Sequence, residues 1–410
     1  MRTKKLRVGY ALVFIFAIGL AHEAIKKTAQ ARPAAAPPSE SVPKFELDPT
    51  WPKLLPNHWV TGQIPGIAVD SHDHIWVIHR PKTIADHEKA ASLKPPTAEC
   101  CFPAPAVLEF DMAGNMLQAW GGPSPTKEYE WPENEHGIFV DHKDNVWIGG
   151  NGNTDAQILK FTTKGKFLLQ IGHQGKSQGS NDTVNLGKPA AMFVYPKTNE
   201  LFVADGYANR RVIVFDAETG AYKRHWGAYG KRPEDFKNPP REQIVKGPPP
   251  TFFNPPVHGI VVSNDDLVYV ADRANNRLQV FKLDGTFVKE AFINKETLDS
   301  EGTVYGFALS PDKDQKFLYT VDGPDMWIRI LNRQTLQIVD SVGGYGGHQF
   351  GAFYHVHSIA ANTDSKGNIY LGEVNEGQRF MRYVYKGMGA PANPGTASAI
   401  SGISSTIPAR

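Results

Sequence analysis

The stretches HGIFVDHKDNVWIGGN, residues 136–151, and VHGIVVSNDDLVYVADR, residues 257–273, are two copies of one phrase. Each alternates β-branched or aromatic residues with small ones, breaks at a short polar run of Asp, Asn and Lys, and resumes the alternation. That is the pattern of two antiparallel strands joined by a tight turn. Working outward, the phrase recurs as GIAVDSHDHIWVIHR from Gly66, AMFVYPKTNELFVADG from Ala191, GFALSPDKDQKFLYTVDG from Gly306 and SIAANTDSKGNIYLGEV from Ser358. Six copies, spaced by roughly fifty to seventy residues, suit one propeller blade each plus insertions. The fold class expected is all-β, a six-bladed β-propeller.

The residue before each phrase is Pro65, His136, Ala190, His258, Tyr305 and His357. In a closed ring, positions in blades two, four and six lie about 120° apart around the axis. Three imidazoles then converge on one point. Three neutral histidines with an open fourth position describe a catalytic zinc site better than a structural one, which cysteines would close. Against this stands the plain reading of each histidine as a core residue hydrogen-bonded to a neighbouring backbone. The remaining eleven histidines, among them His72, His74, His79, His348 and His355, share no repeat position and read mostly as surface or loop residues.

Aligning the copies on the aromatic residue of the second strand (Trp76, Trp147, Phe202, Tyr269, Tyr319, Tyr370) brings Arg80 and Arg273 to one position, four residues on. Tyr207 follows the corresponding Gly206. These strand ends open on the same central region as the histidines. Guanidinium groups there suit bidentate binding of a carboxylate, although inter-blade salt bridges would also explain two arginines.

The chain opens with basic MRTKKLR and an apolar run too short to span a bilayer comfortably. Residues 1–31 therefore read as an export signal, or as a retained membrane tether, and place the protein in the periplasm or outside the cell. Residues 32–44, rich in Ala, Pro and Ser, read as a linker, 45–388 as the propeller, and 389–410 as a disordered tail. A formal net charge of +2 with scattered Lys and Arg gives no basis for nucleic-acid binding. The two cysteines, Cys100 and Cys101, are adjacent: a vicinal disulfide, a soft-metal ligand pair, free thiols and a plain loop all remain open. Long connections are expected at 81–105, 173–188, 229–256 and 343–354. The Pro-rich runs of the third should be extended, and none of the four is a phosphate-binding loop.

Taken together, the repeat phrases, with LFVADGYANRR around Tyr207, resemble the NHL-type repeats of peptidyl-α-hydroxyglycine α-amidating lyases over about residues 59–385. The resemblance implies a zinc ion on His136, His258 and His357, Tyr207 as catalytic base, and Arg80 and Arg273 as active-site arginines. It implies cleavage of the N–C bond of a carbinolamide to an amide and glyoxylate, on a small-molecule or peptide substrate carrying a free carboxylate. A separate copper-dependent monooxygenase would supply that substrate. It also implies a calcium ion bound by the backbone oxygens of Ile67 and Ile138, but Ser358 stands where the family has its acidic ligand, which argues against that ion. His355 replaces the family's methionine and Ala208 its cysteine. Two other readings compete: a non-catalytic propeller binding a peptide, glycan or protein, and a metal-dependent hydrolase or lactonase on the same scaffold.

Overall fold

In the computed structural model, residues 40–392 are described; the expected export segment and most of the expected tail lie outside them. The regular structure among the described residues is nearly all β: six four-stranded antiparallel sheets, a short parallel pairing of Trp59–Val60 with Phe102–Pro103, a few 3-10 turns and one short α-helix at Arg241–Lys246. The sheets are the six blades. Their innermost strands are Gln63–Val69, Glu135–Val140, Ala191–Tyr195, Val257–Val262, Phe307–Leu309 and Val356–Ile359. Neighbouring blades pack side by side around the ring, the fifth meeting Val356–Ile359 through its second strand, Phe317–Asp322, and the sixth returning to the first.

The turn chemistry shows why these residues form hairpins. Asp141 Oδ1 accepts the backbone N–H groups of Lys143 and Asn145, while its Oδ2 accepts the indole N–H of Trp147 at 2.8 Å. Asp70 repeats this with His72, His74 and Trp76, and Asp364 does so with Lys366, Asn368 and the Tyr370 hydroxyl. One aspartate thus closes the turn and ties it to the aligned aromatic. All six aligned aromatic residues are at most 1% exposed. Burying a ring of this size is worth roughly 4 kcal/mol as an upper estimate.

A second repeated device was not read from the sequence. In blades three to six an acid ending the second strand pairs with an arginine on the third strand or, in blade six, just before it: Asp205 with Arg211 at 2.8 Å, Asp272 with Arg277 at 2.6 Å, Asp322 with Arg329 at 3.0 Å and Glu373 with Arg379 at 2.5 Å. The first two pairs are fully buried, and Arg211 also donates to the Ser180 and Asn185 carbonyls, so its charge is well partnered.

The ring closes through blade six, whose outermost strand is the first of the fold. Val42–Leu47 pairs antiparallel with Phe380–Gly389, Val42 opposite Gly389 and Leu47 opposite Tyr383. This strand begins three residues before the expected start at 45. Cys100 and Cys101 form a disulfide with each other, in the connection between the second and third strands of blade one. The 229–256 connection carries the Arg241–Lys246 helix between its two extended Pro-rich runs.

Candidate metal centre

Each histidine of the triad sits near the start of an innermost strand. After His136 and His258 a glycine lets the neighbouring blade approach: a Cβ on Gly137 would stand 2.7 Å from the Ala190 carbonyl oxygen. That same oxygen is 2.7 Å from His136 Nδ1. His258 Nδ1 reaches the Tyr305 carbonyl at 2.5 Å and His357 Nδ1 the Pro65 carbonyl at 3.1 Å. The three acceptors are the residues that occupy the histidine position in blades three, five and one. Each imidazole of an even blade therefore takes its orientation from the next odd blade.

A carbonyl oxygen only accepts, so every Nδ1 carries the proton and every Nε2 presents a lone pair. The three rings are nearly sealed from solvent, and a ligand atom from each lies within 4.8 Å of the others. Ring centroids are 4.7 to 5.1 Å apart. Burial holds all three imidazoles well below their ordinary pKa. Arg80 adds to this for His136, Arg273 for His258, and the neighbouring His258 for His357. They are neutral near pH 7.

Tyr207 Oη lies 3.0 Å from His136 Nε2 and 3.1 Å from His258 Nε2, and His258 Nε2 is 3.2 Å from His357 Nε2. One hydroxyl proton cannot serve both of its nitrogen neighbours, and the two facing Nε2 atoms meet lone pair to lone pair. A shared cation fits such a set of acceptors. Three neutral imidazoles with backbone-fixed tautomers suit zinc or another borderline divalent metal.

Around this point stand the other expected residues. Tyr207 lies in the turn between Asp205 and Arg211, where Asp205 also accepts from Asn209 and from the Gly187 N–H. A Cβ on Gly206 would stand 2.1 Å from the backbone of Val257, so only glycine brings this turn against blade four. Arg273 Nη1 donates to the Tyr207 hydroxyl at 3.3 Å, and its guanidinium covers the Tyr305 ring at 4.5 Å. Arg80 makes no direct bond to Tyr207. Its Nε donates to the Glu135 carbonyl, Nη1 to Gln63 and Nη2 to Asn151.

The hub just inside the histidines is lined by Ile67, Ile138 and Ser358, with no carboxylate among its lining residues. Ser358 Oγ reaches only the Ile64 carbonyl, at 3.4 Å. These residues do not fit a calcium ion. Glu301, 2.5 Å from Arg273 Nη2, escaped the sequence reading, and Tyr305, noted there only as the residue at the histidine position of blade five, packs its ring on His258 and His357. His355, expected among surface and loop residues, is partly buried at 3.4 Å from the Tyr305 hydroxyl.

Comparison with known proteins finds a repeat match and distant relatives. The NHL repeat family model matches residues 257–281, the hairpin that carries His258 and Arg273 together with the strand after it. The chain is 27% identical over 346 residues to a peptidylglycine alpha-amidating monooxygenase of Rattus norvegicus, covering 80% of this chain and 31% of that protein. It is 27% identical over 287 residues to peptidyl-alpha-hydroxyglycine alpha-amidating lyase 1 of Drosophila melanogaster, covering 64% of this chain and 48% of that one. NHL repeat-containing protein 3 of Mus musculus matches at 28% over 255 residues, 59% of this chain and 58% of that protein. The chain thus spans about a third of the length of the amidating monooxygenases it matches. The chain is a six-bladed β-propeller with one NHL-repeat match and distant relatives that include amidating lyases.

Proposed function

We propose that the protein is an exported zinc-dependent carbon–nitrogen lyase acting on a carbinolamide, a peptide or small amide whose nitrogen is bonded to a carbon bearing hydroxyl and carboxylate. The observation that carries this reading is the meeting of three Nε2 lone pairs and one tyrosine hydroxyl, with two arginines beside them. The named amidating lyase relatives support the same chemistry.

His136, His258 and His357 would hold the zinc ion, which when bound supplies Lewis-acid polarisation of an oxygen. Tyr207, fixed by its turn and by Arg273, would as a phenolate beside that guanidinium accept the substrate's hydroxyl proton. As the electrons of that O–H bond become the aldehyde C=O, the C–N bond breaks and the amide nitrogen takes the proton back from Tyr207. The products are an amide and glyoxylate, and no water is consumed. Arg80 and Arg273 would orient the substrate's carboxylate, the first with no carboxylate partner of its own among the described residues. A separate hydroxylating monooxygenase would make the substrate. Export rests on residues 1–31, and fractionation of cells producing the full chain tests it.

Elemental analysis of purified protein should give about one zinc per chain, and an α-hydroxyglycine-capped peptide should release glyoxylate. Tyr207→Phe should lower turnover by about a hundredfold or more while retaining zinc. Absence of bound metal would leave a binding scaffold, and metal-dependent ester cleavage without glyoxylate release would make the protein a hydrolase.

A further inference from the structure

The two arginines differ in what neutralises them. Arg80 donates to a carbonyl and two side-chain amides, all uncharged. Arg273, with its side chain 6% exposed, gives Nη2 to the carboxylate of Glu301 at 2.5 Å, while its Nε is buried without a partner. Glu301 is itself 48% exposed, at the solvent side of the pair. It comes from the connection between blades four and five, and the backbone there is tightly set. The Glu301 N–H is bound by Asp299, and Gly302 at φ +74° comes so close that a Cβ would stand 1.9 Å from the Arg273 carbonyl oxygen. The fold therefore delivers one of its own carboxylates to the guanidinium edge that a substrate carboxylate would use.

We propose that Glu301 is a specificity-determining residue: an internal competitor for Arg273 that the substrate's carboxylate displaces. This rests on the lyase reading above. A guanidinium already charge-paired binds a free anion weakly, because the newcomer must replace an ion pair rather than a solvent shell. A carboxylate anchored also through its hydroxyl at the histidine centre and through Arg80 arrives at high effective concentration and wins the exchange. Simple anions such as acetate have no second anchor. Glu301, half in solvent, can swing outward when displaced.

The test is steady-state kinetics of zinc-loaded protein on two carbinolamides, one with a carboxylate and one with a neutral carboxamide in its place. In Glu301→Gln, which keeps an acceptor but removes the charge, KM for the carboxylate substrate should fall about fivefold with a smaller change in kcat, the scale of one partly exposed charge. KM for the carboxamide should stay put, and inhibition by acetate should strengthen. Glu301→Asp, with a shorter reach, should fall between the two. A rise in KM, or an equal change for both substrates, would make Glu301 a mere support for Arg273 and overturn the proposal. Wild-type protein that turns over neither substrate overturns the lyase reading itself, a separate result.

Discussion

His79 and Arg80 are neighbours on the second strand of blade one, and neither role follows from residue type alone. Arg80 ends the strand at the hub. His79 points the other way and is fully buried, its Nδ1 accepting from the Gly62 N–H and its Nε2 donating to the Pro105 carbonyl. Burial lowers its pKa from 6.5 to about 4. Because the folded value lies below the unfolded one, the stability that neutral His79 provides is complete above pH 6.5 and is lost as pH falls towards 4. Urea unfolding should lose about 3 kcal/mol from this group over that window, and His79→Gln, which keeps both hydrogen bonds without titrating, should flatten the slope. The sequence placed His79 with surface and loop histidines, since a single imidazole carries no period. His136, His258 and His357 were legible because the repeat put them at one position. Glu301 gave no such signal: it lies between repeats, and its contact with Arg273 is made only by the folded ring.

At the scale of elements, hairpins and their turns were readable because alternation and Asp-rich turns are local patterns. The acid–arginine pairs of blades three to six were not. DGYANRR shows a tyrosine, but nothing local says that its last arginine locks the turn to Asp205. Gly206 makes the same turn possible by its lack of a side chain. Gly206→Ala should force the turn off Val257 at a cost of about 1–3 kcal/mol. It should also cut glyoxylate release more than it lowers zinc content, because Tyr207 lies in the turn that must move, whereas His136 and His357 stand on other blades. Denaturant midpoints, metal content and turnover measured on one preparation separate these effects.

For the whole molecule, six copies of one phrase sufficed to predict a six-bladed ring, but not which strand shuts it. Val42–Leu47 fell across the expected linker because a lone outer strand has no repeat to mark it. Deleting residues through 47 would expose the long edge of Phe380–Gly389, so the truncated protein should melt earlier and self-associate, as light scattering during a thermal scan would show. The Nδ1 contacts to Ala190, Tyr305 and Pro65 carry a wider consequence. They span the seams from blade two to three, four to five and six to one, so a metal gripped by the imidazoles is a keystone: it can stay only while those joints are shut. Repeat architectures bound mainly to their nearest neighbours are prone to fray piecemeal, and a keystone couples the segments into one event. Stripping the ion with a chelator should therefore do more than lower the melting point; calorimetry should show a single sharp peak broadening into several, the ring coming undone sector by sector.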